Sequence, residues 1–149
     1  MVFIIVFMTE PKDIKKQTIE TSAGWVRIVE NNLIEVGLCD YFEIDIETVR
    51  ELHKTILNIA EKGKKHILLV YLGHGTIATK KARDFAAKLA KGDLIIAEAL
   101  LASNLAHRLM GNFYIKFHKP TRPSKVFIKK ESAIKWLRKI ERQSQENVK

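Results

Sequence analysis

A chain of 149 residues, 46% hydrophobic and 29% charged, has the size and balance of one ordinary globular domain. A lone cysteine, Cys39, excludes an intramolecular disulfide and any fold that depends on one, which points to a reducing, cytoplasmic setting. The net charge of +9 is lopsided: residues 1–75 hold 9 Lys and Arg against 11 Asp and Glu, while residues 76–149 hold 17 against 6. Such a basic half suits nucleic acid, anionic lipid or an acidic protein, or simply a solvated lysine-rich face.

In chain order, Met1 to Met8 is apolar. It falls far short of the about 20 residues of a membrane helix and lacks the cationic start and cleavage site of a signal peptide. We therefore expect no transmembrane segment. The run reads either as translation begun upstream of a start at Met8 or as an edge strand that pairs with a second copy in a homodimer. Residues 1–16 are thus a tail or edge segment, 17–142 the domain and 143–149 a polar tail.

Gln17 to Glu30 alternates as one long or bent strand. Glu30-Asn31-Asn32 signals a tight turn, because asparagine tolerates positive φ, and Leu33 to Leu38 returns as the second strand of a hairpin. The spacing of Ile46, Val49, Leu52, Ile56 and Ile59 predicts a helix to about Lys62, ended by Gly63. Asp45 is its cap, or Thr48 with Glu51 one turn later. His66 to Leu72 is a continuous apolar run fit for a strand covered on both faces.

Ala82, Phe85, Ala86 and Leu89 predict a helix capped by Thr79 and stopped by Gly92. Asp93 to Leu101 is the next strand, and Ser103 caps a helix to about Lys116 with Leu105, Leu109, Met110 and Phe113 inward. Two prolines stiffen the connector Lys119 to Ser124. Val126 to Ile128 is the final strand and Glu131 to Arg142 the final helix. The order ββαβαβαβα implies an α/β fold: a single mixed β-sheet with a leading hairpin and parallel strands joined by crossover helices.

The sharpest motif is Gly73-His74-Gly75-Thr76-Ile77-Ala78, with Glu98 twenty residues beyond it. It imitates the fingerprint in which a Gly-rich turn meets a pyrophosphate and an acid holds a ribose. That chemistry needs the helix to open at the second glycine, whereas Thr79 puts the start a turn later, so no cofactor is expected. A helix start flanked by Lys80 and Lys81 would still attract an anion, and Thr76 and Thr79 are hydroxyls that a kinase could phosphorylate there. Equally, Thr79 serves as a plain cap. His53, His66, His74, His107 and His118 show no metal spacing, and no nucleophile, base and orienter converge, so neither a metal nor an enzymatic activity is expected. Glu43, Asp45 and Glu47 surround a helix start, where acids suit the dipole. His107, Arg108, Lys116, His118, Lys119, Arg122 and Lys125 interleave with Phe113, Tyr114 and Phe117, a mixture that suits single-stranded nucleic acid or anionic lipid, although Phe113 and Phe117 also fall on an apolar helical stripe and suit the core.

Several phrases resemble those of small bacterial STAS-like proteins, the fold of anti-sigma-factor antagonists. They are Glu43-Ile-Asp-Ile-Glu-Thr48, Leu68-Leu-Val-Tyr-Leu72, Arg108-Leu-Met-Gly-Asn-Phe113, Lys119-Pro-Thr-Arg-Pro-Ser-Lys-Val-Phe127 and Ala133-Ile-Lys-Trp-Leu137. The resemblance implies a four- or five-stranded mixed sheet and a role in protein–protein regulation. In the antagonists the central strand ends in an Asp-Ser-Ser-Gly type switch whose serine a partner kinase phosphorylates. Here Thr79-Lys80-Lys81-Ala82 stands in that place without a serine, leaving Thr79 or Thr76 as phosphoacceptors. The expectation is therefore a non-enzymatic regulatory domain that meets a protein partner through Gly73, His74, Gly75, Thr76, Thr79, Lys80 and Lys81. The alternative is a nucleotide- or anion-binding module, with nucleic acid or anionic lipid held by the basic half.

Overall fold

The computed structural model describes residues 18–30, 32–89, 94–109 and 122–147. The apolar Met1–Met8 run, the Gly92 stop, Met110, Phe113 and the aromatic and basic residues 114–119 lie outside them. In chain order the elements begin with β1 (Thr18–Thr21), β2 (Gly24–Val29), β3 (Leu33–Leu38), β4 (Glu43–Ile44) and α1 (Ile46–Ile59). Then follow β5 (His66–Tyr71), β6 (Ile77–Ala78), α2 (Lys80–Leu89), β7 (Ile95–Leu101), β8 (Ser124–Phe127) and α3 (Lys130–Glu146). Six strands make one mixed sheet in the order β1-β2-β3-β5-β7-β8. The first three pair antiparallel and the rest parallel. This is the expected α/β class, with six strands instead of four or five.

The run from Gln17 to Glu30 is not one strand. Ser22 and Ala23 turn it back, so that Thr21 faces Gly24 and β1 and β2 form a hairpin of their own. Gly24 holds φ +147 and lies against the carbonyl of Gly37 on β3, where any Cβ would collide. The turn between β2 and β3 falls where expected, with Asn32 at φ +69. Arg138 of α3 fastens this turn, donating to Asn32 Oδ1 and to the Glu30 carbonyl, each at 3.0 Å.

Asp45 caps α1: its Oδ1 accepts both the backbone N–H and the hydroxyl of Thr48 at 2.8 Å. Glu51 is therefore free of capping and instead receives the backbone N–H of Ser22 at 3.0 Å, tying α1 to the first hairpin turn. Residues 105–109 are helical, but Asn104, not Ser103, is the cap, its Oδ1 accepting the His107 N–H at 2.9 Å. Leu105 and Leu109 are each 61% exposed, not inward. Helical spacing identifies a stripe without saying on which side the core lies.

Helices cover both faces of the sheet. On one face Val26, Ile34, Val36, Leu68 and Ile95 pack against Ile56, Ala60 and Leu52 of the α1 region. There α2 lies beside α1, with the Arg50 guanidinium 5.1 Å from the centre of the Phe85 ring. On the other face Leu33, Ile67, Leu69, Ala97 and Ala99 receive Ala133 and Leu137 of α3. An irregularity in the β5–β7 register between His66 and Ile67 sends Ile95 to one face and Ala97 to the other. Burying each Leu or Ile stabilises the fold by about 1.5–3 kcal/mol, and β5 holds three such buried residues, Ile67, Leu68 and Leu69, with Val70 partly buried after them.

Candidate functional site

The carboxyl ends of parallel strands are where α/β sheets present loops to ligands and partners. Here β5 ends at Tyr71, and Leu72 still bonds across to the Leu101 carbonyl at 3.0 Å before the chain leaves the sheet. Residues 73–79 then run beside residues 39–45, joined by the short parallel ribbon of β4 and β6. Gly73 is buried, and a side chain there would strike Thr76 and the Cys39 carbonyl. The Thr76 hydroxyl donates to that same carbonyl. Gly75 takes φ +66 with the Tyr41 ring directly over it.

The loop consumes its own backbone donors. His74 donates to Asp40 Oδ1 at 2.7 Å and Gly75 to His107 Nε2 at 3.3 Å. Thr76 donates to the Gly73 carbonyl, Ile77 to Phe42 and Thr79 to Ile44, at 3.3, 3.0 and 3.0 Å. Since His107 Nε2 accepts, its Nδ1 bears the proton and donates to Ser103 Oγ at 3.1 Å. Thr79 Oγ1 accepts the Ala82 N–H at 3.0 Å and so caps α2. Lys80 pairs with Asp84 at 3.1 Å, and Lys81 is exposed. The candidate residues 73–81 thus form one continuous edge, and the imitation of a dinucleotide loop ends there: Ile77 and Ala78 are extended, and α2 opens only at Lys80. Glu98, which would hold the ribose, is instead bonded to Arg122 and Ser124 at 3.1 and 2.8 Å.

The structure adds residues to this edge that composition did not single out. Tyr41 is 78% exposed and holds φ +51, its ring edge-on to His74 at 5.8 Å. His74 in turn lies 5.8 Å from His107, and Ile77 is 51% exposed. Behind this edge, between the sheet and helices α1 and α2, lies a largely apolar cleft of about 300 Å³.

A second polar cluster occupies the opposite face. Glu35, 2% exposed, is met by Arg27 at 2.6 Å, Lys130 at 3.4 Å and the Tyr71 hydroxyl at 3.1 Å. Burial pushes this carboxyl up, but the bond and charge of Arg27, with help from Lys130 and Tyr71, outweigh it and hold it below its ordinary 4.5. With every partner accounted for, the cluster is structural. Among the described residues no group of three or more His, Cys, Asp or Glu is placed to hold a metal ion. No helix among them is long and apolar enough to cross a membrane.

Comparison with known proteins gives a similar solved structure and a matching family. The chain is similar to the crystal structure of an uncharacterized protein of the DUF3478 family, with a SpoIIAA-like fold, from Shewanella loihica PV-4. The two share 13% identity over 81% of this chain and 90% of that one, at a TM-score of 0.48. That fold is of the STAS-like kind. Comparison with curated proteins returned no match. The model of one family, described as a domain of unknown function, matches residues 28–141, from within β2 to near the end of α3. The chain belongs to that family, DUF7793.

Proposed function

We propose that the chain is a non-enzymatic, STAS-like regulatory domain of the cytoplasm that captures a protein partner through the edge formed by residues 39–45 and 73–81. The observation that carries this reading is Tyr41. A non-glycine residue in the left-handed region costs about 1–2 kcal/mol, and the ring's contacts with Gly75 and His74 still leave 78% of the residue facing outward. Strain held at an exposed aromatic fits a contact made with something outside the molecule. Ile77 beside it extends an apolar patch of the sort that marks interaction sites.

The competing reading, an anion-binding loop, draws less support from the geometry. A phosphate cradle needs open backbone N–H groups, whereas those of His74, Gly75, Thr76, Ile77 and Thr79 already have acceptors. The test is affinity capture from the native host with wild type, Tyr41→Asn with Ile77→Lys, and Lys80→Glu with Lys81→Glu, alongside melting temperatures. Both double variants should stay folded and lose the captured partner. Unchanged capture by either one refutes the surface assigned to it.

A further inference from the structure

Two side chains from elsewhere in the chain hold Gly75. The Tyr41 ring lies directly over it, and its N–H donates to His107 Nε2 at 3.3 Å. At φ +66 this backbone is in a conformation that glycine takes freely. His107 can accept that bond only as the neutral ring, with its proton on Nδ1, where Ser103 Oγ lies at 3.1 Å. A proton added at Nε2 sets one N–H against another, so the bond is lost. Imidazole is the side chain that ordinarily gains such a proton between pH 8 and 5. The bond is exposed, so water receives both groups and the release stays local to the loop.

The rings extend the contact. His107 lies 5.8 Å from His74, which meets the Tyr41 ring at the same distance, so protonation of both imidazoles puts like charges side by side beneath the edge. Other charged groups surround them. Asp40 accepts the His74 N–H, and Arg108 follows His107 on its own turn. Glu98, ion-paired with Arg122, stands with Arg83 and His53 on the walls of the cleft that His107 also lines. These groups set where the rings titrate, whereas the bond to the Gly75 amide belongs to His107. We infer that His107 is a pH-sensitive latch on the edge: neutral, it holds Gly75 beneath Tyr41; protonated, it releases them and partner capture weakens. The effect on capture rests on the partner-binding reading above, and the latch itself does not.

The experiment follows the full chain by NMR from pH 8.0 to 5.5. The Gly75 amide and the Tyr41 ring signals should move together, with the midpoint of the His107 ring and not that of His74, while the amides of β3 stay in place. His107→Gln, whose side-chain carbonyl can accept the same N–H and does not titrate, should abolish the movement. Capture from host lysate should fall about fivefold between pH 7.5 and 5.5 for wild type, the worth of one lost hydrogen bond, and stay level for His107→Gln. Gly75 and Tyr41 signals that stay still, that follow His74, or that move equally in His107→Gln overturn the latch. The first two outcomes are read on wild type alone, so they decide even where the variant fails to fold. Signals that move as expected while wild-type capture stays constant support the latch and refute the edge as the partner-binding surface.

Discussion

The backbone N–H of Tyr41 donates to the carbonyl of His74 across 2.8 Å, and the two rings meet in a T, their centres 5.8 Å apart. The contact fixes Tyr41 at φ +51. Asparagine tolerates this conformation and keeps the backbone bond. Tyr41→Asn should therefore be more stable than wild type, by about 1 kcal/mol in denaturant titration, while losing partner capture. A drop in stability would show that the ring is held for the fold.

His66 is wholly buried, its Nε2 accepting the Glu61 N–H at 3.2 Å and its Nδ1 facing the Lys64 carbonyl at 3.0 Å. Burial pushes the imidazole below its ordinary 6.5, the Lys64 carbonyl and Glu61 pulling back only in part. The unfolded chain thus binds a proton more readily than the folded one, so stability is full above about pH 6.5 and falls as pH drops from there toward the lowered folded value. His66→Leu should cost about 1–3 kcal/mol at pH 7.5, by stranding the Glu61 N–H. It should also flatten the stability profile below about pH 6.5, which denaturant titrations at successive pH values would read.

Glu35 governs a lower window. Its carboxyl is held below 4.5 in the fold, so its contribution is present above that pH and is lost as the pH falls through the folded value. Arg27 and Lys130 are 38% and 44% exposed. Water therefore reclaims them when the carboxylate is removed, and the loss is smaller than for a fully buried pair. Glu35→Gln should cost about 1–2 kcal/mol at neutral pH, with less further loss than wild type in acid. An identical acid profile would assign that sensitivity to other carboxylates.

Gly24 and Gly37 face one obstacle each. A Cβ on Gly37 would enter the half-buried Trp25 indole, a side chain and not backbone, and overpacking of this kind costs about 1–3 kcal/mol. A Cβ on Gly24 would strike the Gly37 carbonyl, which the β2–β3 pairing holds in place. Gly24→Ala should consequently be the more destabilising of the two by thermal melting, and the reverse order would mean that the first hairpin is loosely joined to the sheet.

Local pattern carried much of this molecule. The apolar run at β5, the stripes of α1 and α2, the Asp45 and Thr79 caps and the Asn32 turn are set by side chains within a few residues of one another, and they stand where periodicity and capping rules put them. The fold at Ser22 and Ala23 was not legible in the same way, because alternation continues through a tight turn as it does through a strand. Thr21 Oγ1 bridges the turn, accepting the Ala23 N–H at 3.3 Å and donating to the Gly24 carbonyl at 3.1 Å, and Gly24 lies against Gly37, thirteen residues away on another strand.

The sequence by itself determined the α/β class and the loop between Gly73 and Lys81 as an edge of the central strand, since both follow from the alternation of apolar and polar residues along a short span. Only the tertiary structure decided what that loop offers. The N–H groups of His74, Gly75, Ile77 and Thr79 are satisfied by Asp40, His107, Phe42 and Ile44, brought in from other strands and crossovers, and its exposed face is set by Tyr41, whose backbone conformation no neighbouring residue announces. The physical reason is range: caps and stripes are contacts of three or four residues, whereas a donor's partner and the wall of a cleft are fixed by chain segments that meet only when the sheet closes.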